Sequence, residues 1–166
     1  MSNEGFQPRL AKVVRQPIHL MATGFASGLL RPAPGTWGSA AAVLVYAMTL
    51  SHLPILVVLG VIVTSAVLGV VICGRTATDW GVHDHGAIVW DEWVGQWIAL
   101  IGLASEPLYW LVGFVCFRVL DIWKPGPIGW ADRRFTGGMG IMLDDILAGA
   151  GAWVCVTAFK WGMGAG

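Results

Sequence analysis

The run PILVVLGVIVTSAVLGVVIC, Pro54 to Cys73, restricts what this chain can fold into more than any other part of it. It holds about 20 residues without a single charge, enough for a helix to cross roughly 30 Å of hydrocarbon. The rest of the composition agrees. Hydrophobic residues make up 56% of the chain and charged residues 12%, about half the charged fraction of an ordinary soluble domain. Ten tryptophans and 23 glycines point the same way, because membrane helices and their interfaces use both heavily.

The flanking segments extend this into a topology. WGSAAAVLVYAMTL, Trp37 to Leu50, is apolar but short, and Ser51, His52 and Pro54 supply a turn that makes it the partner arm of a helical hairpin. A polar stretch is expected from Gly74 to Asp91. The run Trp93 to Phe117 is broken by Ser105, Glu106 and Pro107; proline disfavours helix at the residue before it and Glu106 is costly in lipid, so a second hairpin turns there. Its arms are short for a full crossing. A last span runs from about Ile141 to Phe159. The expected fold is therefore all-α: a polytopic membrane bundle of two hairpins plus a C-terminal span, one domain over residues 1–166 with a polar segment at 1–20. The N-terminus has no compact apolar core and does not read as a secretory signal, so insertion relies on the internal segments.

Basic residues set the expected sidedness. Arg9, Lys12, Arg15, Arg75, Arg118, Lys124, Arg133 and Arg134 all fall on one face of such a topology, which makes that face cytoplasmic, and Lys160 is left on the other. The same topology gathers Asp91, Glu92, Asp121, Asp144 and Asp145 at the cytoplasmic helix ends. A formal net charge of zero and the lack of a basic run argue against a nucleic-acid partner. Cys73, Cys116 and Cys155 show no metal-ligand spacing and read as small buried apolar residues.

Each acidic residue has a plain reading taken alone. Asp91 and Glu92 in IVWDEWVGQW open a helix, where carboxylates complement the dipole. Arg118, Asp121 and Lys124 in FRVLDIWKPGPIGWADRR are three residues apart, so Asp121–Lys124 fits an intrahelical salt bridge; Pro125 then ends the helix and Pro127 keeps the backbone extended. Asp144 and Asp145 in GGMGIMLDDILAGA point about 100° apart, so both cannot face lipid. Together, however, five carboxylates repel one another unless a cation sits among them. Mg²⁺ prefers oxygen ligands and bridges carboxylates to phosphates, while Arg118, Lys124, Arg133 and Arg134 suit phosphate oxygens. Carboxylates with basic residues at headgroup height imply phosphoryl chemistry on a lipid. ATGFASGLLRPAPGTWGS, with Thr23 and Thr36, reads equally as a headgroup-wrapping loop or as a loop leading into the membrane. His83 and His85 around Asp84 read either as added metal ligands or, since they lack helical metal-ligand spacing, more simply as surface histidines.

ATGFASGLLRPAPGTWGS, HDHGAIVWDEWVGQWI, FRVLDIWKPGPIGWADRR and GGMGIMLDDILAGA, in this order, resemble the phosphatidylglycerophosphatase A family, in the branch found in Gram-negative bacteria. The resemblance covers nearly the whole chain. It implies a Mg²⁺-dependent phosphatase of the bacterial inner membrane that converts phosphatidylglycerophosphate to phosphatidylglycerol and phosphate, with a bilayer-borne lipid as its partner. Thiolate, Asp-x-Asp, Arg-His-Gly and Ser-Gly-His signatures of other phosphatases are absent, which leaves metal-assisted hydrolysis. Asp91, Glu92, Asp121, Asp144 and Asp145 would hold one or two Mg²⁺. Arg118 and Lys124 would neutralise the terminal phosphate, and Arg133 or Arg134 would meet the phosphodiester. Rival readings are headgroup transfer, a carboxylate-lined transporter and an assembly subunit of a membrane complex.

Overall fold

The computed structural model of the chain describes residues 8–103 and 106–164, so Ser105 of the expected second turn lies outside the described residues, as does the start of the polar N-terminal segment. Among the described residues the secondary structure is helical throughout. Two short helices, α1 (Leu10–Val13) and α2 (Pro17–Ala22), lead through a 3₁₀ turn at Ser27–Leu29 into α3 (Pro34–Met48). A second 3₁₀ turn at Leu50–His52 connects α3 to α4 (Ile55–Trp80). Then follow α5 (Trp90–Ala99), α6 (Pro107–Trp123), α7 (Pro127–Arg134) and α8 (Gly137–Gly162).

Proline fixes four of the helix starts, that of α2 through Pro17. Pro34, Pro107 and Pro127 each stand at the first position, where the lost N–H has no partner to miss and φ is already helical. This corrects the expectation for Pro127, which opens α7 instead of holding the chain extended. A second correction concerns α4, which does not end near Cys73 but continues to Trp80 through part of the expected polar stretch. Arg75 Nε and Asp79 Oδ1, one turn apart, pair at 3.0 Å, and the Thr78 hydroxyl donates to the Gly74 carbonyl at 2.9 Å. Gly81, at φ +66°, closes the helix in the left-handed conformation.

α8 is the axis of the molecule and packs against α4, α5, α6 and α7. α5 is its closest neighbour and lies between α3 and α4, although those two are consecutive along the chain. Ten residues give α5 a length of only about 15 Å, too little to cross a bilayer alone. Its surroundings resolve that problem, since all but Glu92 and Ile98 of its residues are buried. The tryptophan face of α5 fastens it on two sides. Trp90 Nε1 donates to the Ser65 carbonyl of α4 at 3.1 Å and Trp97 Nε1 to the Ala42 carbonyl of α3 at 3.0 Å. Trp93 stacks on Trp90 with ring centroids 5.8 Å apart.

The outer faces are apolar and uncovered. Leu56, Val63, Val67 and Val71 of α4 and Leu111, Val115, Val119 and Ile122 of α6 are exposed. A continuous apolar surface of this kind suits a hydrocarbon solvent rather than water. By length and composition α4 and α8, 26 residues each, are able to cross a membrane. Of the cysteines, Cys73 is buried as expected, while Cys155 lies exposed on this apolar surface.

Candidate active site

Directions of the helices decide which residues meet. Gly138 at the start of α8 rests against the Val70 carbonyl and Gly74 near the end of α4, so the two run antiparallel. Gly95 of α5 lies against Gly149 of α8 backbone to backbone, while Phe117 of α6 abuts Gly95. Gly35 of α3 abuts Glu92 of α5 and Arg118 of α6. These contacts place the starts of α3, α5 and α8 and the ends of α4 and α6 at one end of the molecule.

Five carboxylates converge there. One oxygen each from Asp91, Glu92 and Asp145 lie within 4.8 Å of one another, and so do oxygens of Asp121, Asp144 and Asp145. Asp145 belongs to both groups, which makes the cluster continuous across α5, α6 and α8. Two glycines permit the approach. A side chain on Gly149 would collide with the Gly95 carbonyl and push α5, with its Asp91 and Glu92, away from Asp145. A side chain on Gly35 would strike the Glu92 carboxylate.

Two cations stand among the acids. Arg118 bonds Asp121 Oδ2 at 2.6 Å, lies 3.6 Å from Glu92 Oε1 and reaches Ser39 Oγ at 3.4 Å. Lys124 bonds Asp144 Oδ2 and Asp132 Oδ1, both at 2.6 Å. Burial pulls the Lys124 ammonium down, but the bonds to Asp132 and Asp144 outweigh it and leave the group above its ordinary value. It therefore stays positive at neutral pH. The five carboxylates still outnumber these two cations by three.

Most of this charge is removed from water. Asp91, Asp144 and Asp145 are buried, and Asp91 Oδ1, Glu92 Oε2 and Asp144 Oδ1 are buried without a hydrogen-bond partner. An orphaned buried carboxylate oxygen is costly and calls for a positive ligand. Hard oxygens in this number and spacing fit Mg²⁺.

The other expected residues separate into those near the cluster and those not. Thr36 stands in the first turn of α3, next to Gly35. Thr23 is fully buried and its hydroxyl donates back to the His19 and Leu20 carbonyls, so the fold does not bring it into the cluster. Arg133 and Arg134 are exposed in the last turn of α7. The Asp121–Lys124 bridge does not form: Asp121 pairs with Arg118, because Lys124 caps α6 at φ +46° and turns toward α8. His83 is exposed, and His85 Nδ1 accepts the Ala87 N–H at 3.1 Å.

Sequence reasoning missed two residues. Asp132, the second partner of Lys124, had no signal, because the turn between α6 and α7 brings it back and no fixed spacing encodes that. Gln96 did have one. It is a polar residue inside an apolar helix, one turn after Glu92, and both atoms of its fully buried amide lack partners.

Comparison with known proteins adds to this geometry. A family model described as Phosphatidylglycerophosphatase A matches residues 20–160. A phosphatidylglycerophosphatase A of Escherichia coli (strain K12) is 53% identical over 135 residues, covering 80% of this chain and 77% of its own. One from Haemophilus influenzae is 46% identical over 148 residues, covering 89% and 91%. A Bacteroides thetaiotaomicron protein with the provisional name phosphatidylinositol-3-phosphatase is 34% identical over 152 residues, covering 87% and 94%. No solved structure matches the chain.

Proposed function

This chain belongs to the phosphatidylglycerophosphatase A family, and from that premise we propose that its carboxylate cluster is a Mg²⁺-dependent active site for phosphatidylglycerophosphate. The reaction removes the terminal phosphomonoester: water adds to phosphorus, the bond to the glycerol oxygen breaks, and that oxygen takes up a proton. Phosphatidylglycerol and inorganic phosphate result. The observation that carries the metal reading is the set of orphaned oxygens on Asp91, Glu92 and Asp144 around the shared Asp145.

Asp91, Glu92, Asp121, Asp144 and Asp145 are the residues that would hold Mg²⁺. Bound there, the metal would polarise the phosphoryl oxygens and acidify a water molecule. Arg118 and Lys124 neutralise and orient the terminal phosphate through charge-assisted bonds. Thr36 and the first turn of α3 border the same space. Arg133 and Arg134, exposed on α7, would meet the phosphodiester.

The membrane reading follows from surface chemistry. Trp37, Trp123 and Trp130 are exposed at the carboxylate end and Trp161 at the other, as interfacial belts would be. Arg75, Lys124, Arg133 and Arg134 stand with the carboxylates and Lys160 opposite, so the cluster faces the cytoplasm of a multi-pass inner-membrane protein.

Purified protein in detergent micelles, assayed for phosphate release across a Mg²⁺ titration, tests this function. Release from phosphatidylglycerophosphate that EDTA abolishes and Mg²⁺ restores is expected. Phosphatidic acid and phosphatidylinositol 3-phosphate should be poorer substrates. Release unaffected by EDTA would remove the metal from the mechanism, and solute movement without release would make the protein a transporter.

A further inference from the structure

A membrane lipid that brings its terminal phosphate to the carboxylates must also lay its acyl chains somewhere close by. The outer surface holds an apolar groove of about 470 Å³ at that position. Its walls are Leu120 of α6 and Leu147, Gly151 and Val154 of α8, and Pro127 and Ile128 of α7 roof it. We propose that this groove is the track for an acyl chain of the lipid substrate, continuous with the phosphatase site; the proposal rests on the reading above.

Continuity is the first argument. Leu120 precedes Asp121, Pro125 of the groove follows Lys124, and Leu147 lies one turn beyond Asp144 on α8. Three lining residues of the groove are thus chain neighbours of cluster residues. From Leu147 to Val154 it then runs about 10 Å along α8, away from the carboxylate end, which is the direction a chain takes into hydrocarbon.

The chemistry of the walls selects the occupant. They are almost entirely apolar, so a peptide laid there would leave its N–H and C=O groups without partners. An alkyl chain has no such groups. Shape agrees. Gly151 keeps the floor low, since a methyl group there would sit 3.0 Å from Leu120 Cδ1 and narrow the track. Ala150 and Val154 are exposed along its open side, through which a chain can enter laterally.

A second apolar groove, about 270 Å³ between Ala40, Val43, Pro107, Leu111 and Phe114, serves as the contrast. It lies against the first half of α6, with Phe114 two turns from Asp121. A chain lying there would approach the cluster from the Arg118 side, one turn beyond Phe114, and not beside Lys124 and Asp144.

The test is photolabelling in nanodiscs with phosphatidylglycerophosphate carrying a diazirine on one acyl chain. Phosphatidylcholine with the same label is the control. Peptide mapping is expected to show phosphatidylglycerophosphate adducts on residues 120–128 and 147–154, at least fivefold above the control lipid. Ala150→Trp, which fills the groove from its open side, should remove those adducts and raise KM at least tenfold with kcat held within about twofold. Leu111→Trp, on another lipid-facing surface, should change neither.

Equal labelling by both lipids, or adducts concentrated at Ala40 and Leu111, would overturn the proposal. So would an unlabelled groove whose Ala150→Trp variant loses a dimer by light scattering, because a second copy of the chain would then be the occupant. Phosphate release by the unsubstituted protein is scored separately, so failure of the groove is distinguishable from failure of the phosphatase reading.

Discussion

Asp145 is the residue on which both carboxylate groups depend, and that sharing separates it from its neighbours. Asp91→Asn or Asp144→Asn removes a ligand from one group, whereas Asp145→Asn removes one from both. Turnover should fall by about 10³-fold or more in Asp145→Asn, since a preorganised electrostatic contact alone accounts for about 10²–10³. Mn²⁺ affinity, read by electron paramagnetic resonance, should fall further than in either single-group variant. The same change relieves repulsion among buried like charges, so thermal stability measured in EDTA should rise. Activity lost and stability gained together would identify a site maintained against the fold's own preference. An Asp145→Asn protein that is less stable in EDTA would mark the residue as structural.

Gln96 poses a related question with no charge involved. Both of its buried amide atoms lack partners, a desolvation cost of about 1–3 kcal/mol. Replacement by Leu should therefore raise the melting temperature by roughly 2–12 °C, measured by circular dichroism in detergent. A fall would reveal a bond that Gln96 makes in the working protein.

Among the elements, the α5–α8 crossing sets the register of the site. Gly149 meets the Gly95 carbonyl at that crossing, and a Cβ has no room. Gly149→Ala should cost about 1–3 kcal/mol, as overpacked sites do, and should lower turnover because Asp91 and Glu92 move from Asp145. Gly60→Ala, with open space at its Cβ, should not destabilise the protein. Matched thermal melts and phosphate assays on the two variants decide the point. How far the elements were legible depended on whether their signals were local. Proline at Pro107 and the apolar runs of α4 and α8 act within a turn or two, and they marked α6, α4 and α8, although α8 starts at Gly137 rather than near Ile141. The extension of α4 to Trp80 was hidden, because an Arg75–Asp79 pair on a helix looks like loop polarity in a sequence. The start of α7 at Pro127 was misread because proline opens helices as readily as it ends them. At the site, the acidic residues were legible as an oddity, charges inside an apolar chain. Their partners were not, since the Lys124–Asp144 bond spans α7 and depends on a left-handed cap at Lys124.

Across the whole molecule, the remaining question is orientation, and the charges answer it in a testable way. The carboxylate end carries Arg75, Arg118, Lys124, Arg133 and Arg134, and the opposite end has Lys160 in the last turn of α8 and His52 beside the start of α4. Basic residues stay on the cytoplasmic side during insertion, so Arg134 should lie inside and His52 outside. Both are exposed. Single cysteines at the two positions, placed in a chain with Cys73, Cys116 and Cys155 replaced by Ala, report this directly. A membrane-impermeant maleimide added to intact spheroplasts should modify His52→Cys at once and Arg134→Cys only after permeabilisation. A thermal melt of each variant that matches the parent chain keeps the fold in evidence. The reverse pattern would put the carboxylates on the far side of the membrane. Immediate labelling of both would mean that the protein does not cross the bilayer, and its apolar faces would then have to be covered by other chains.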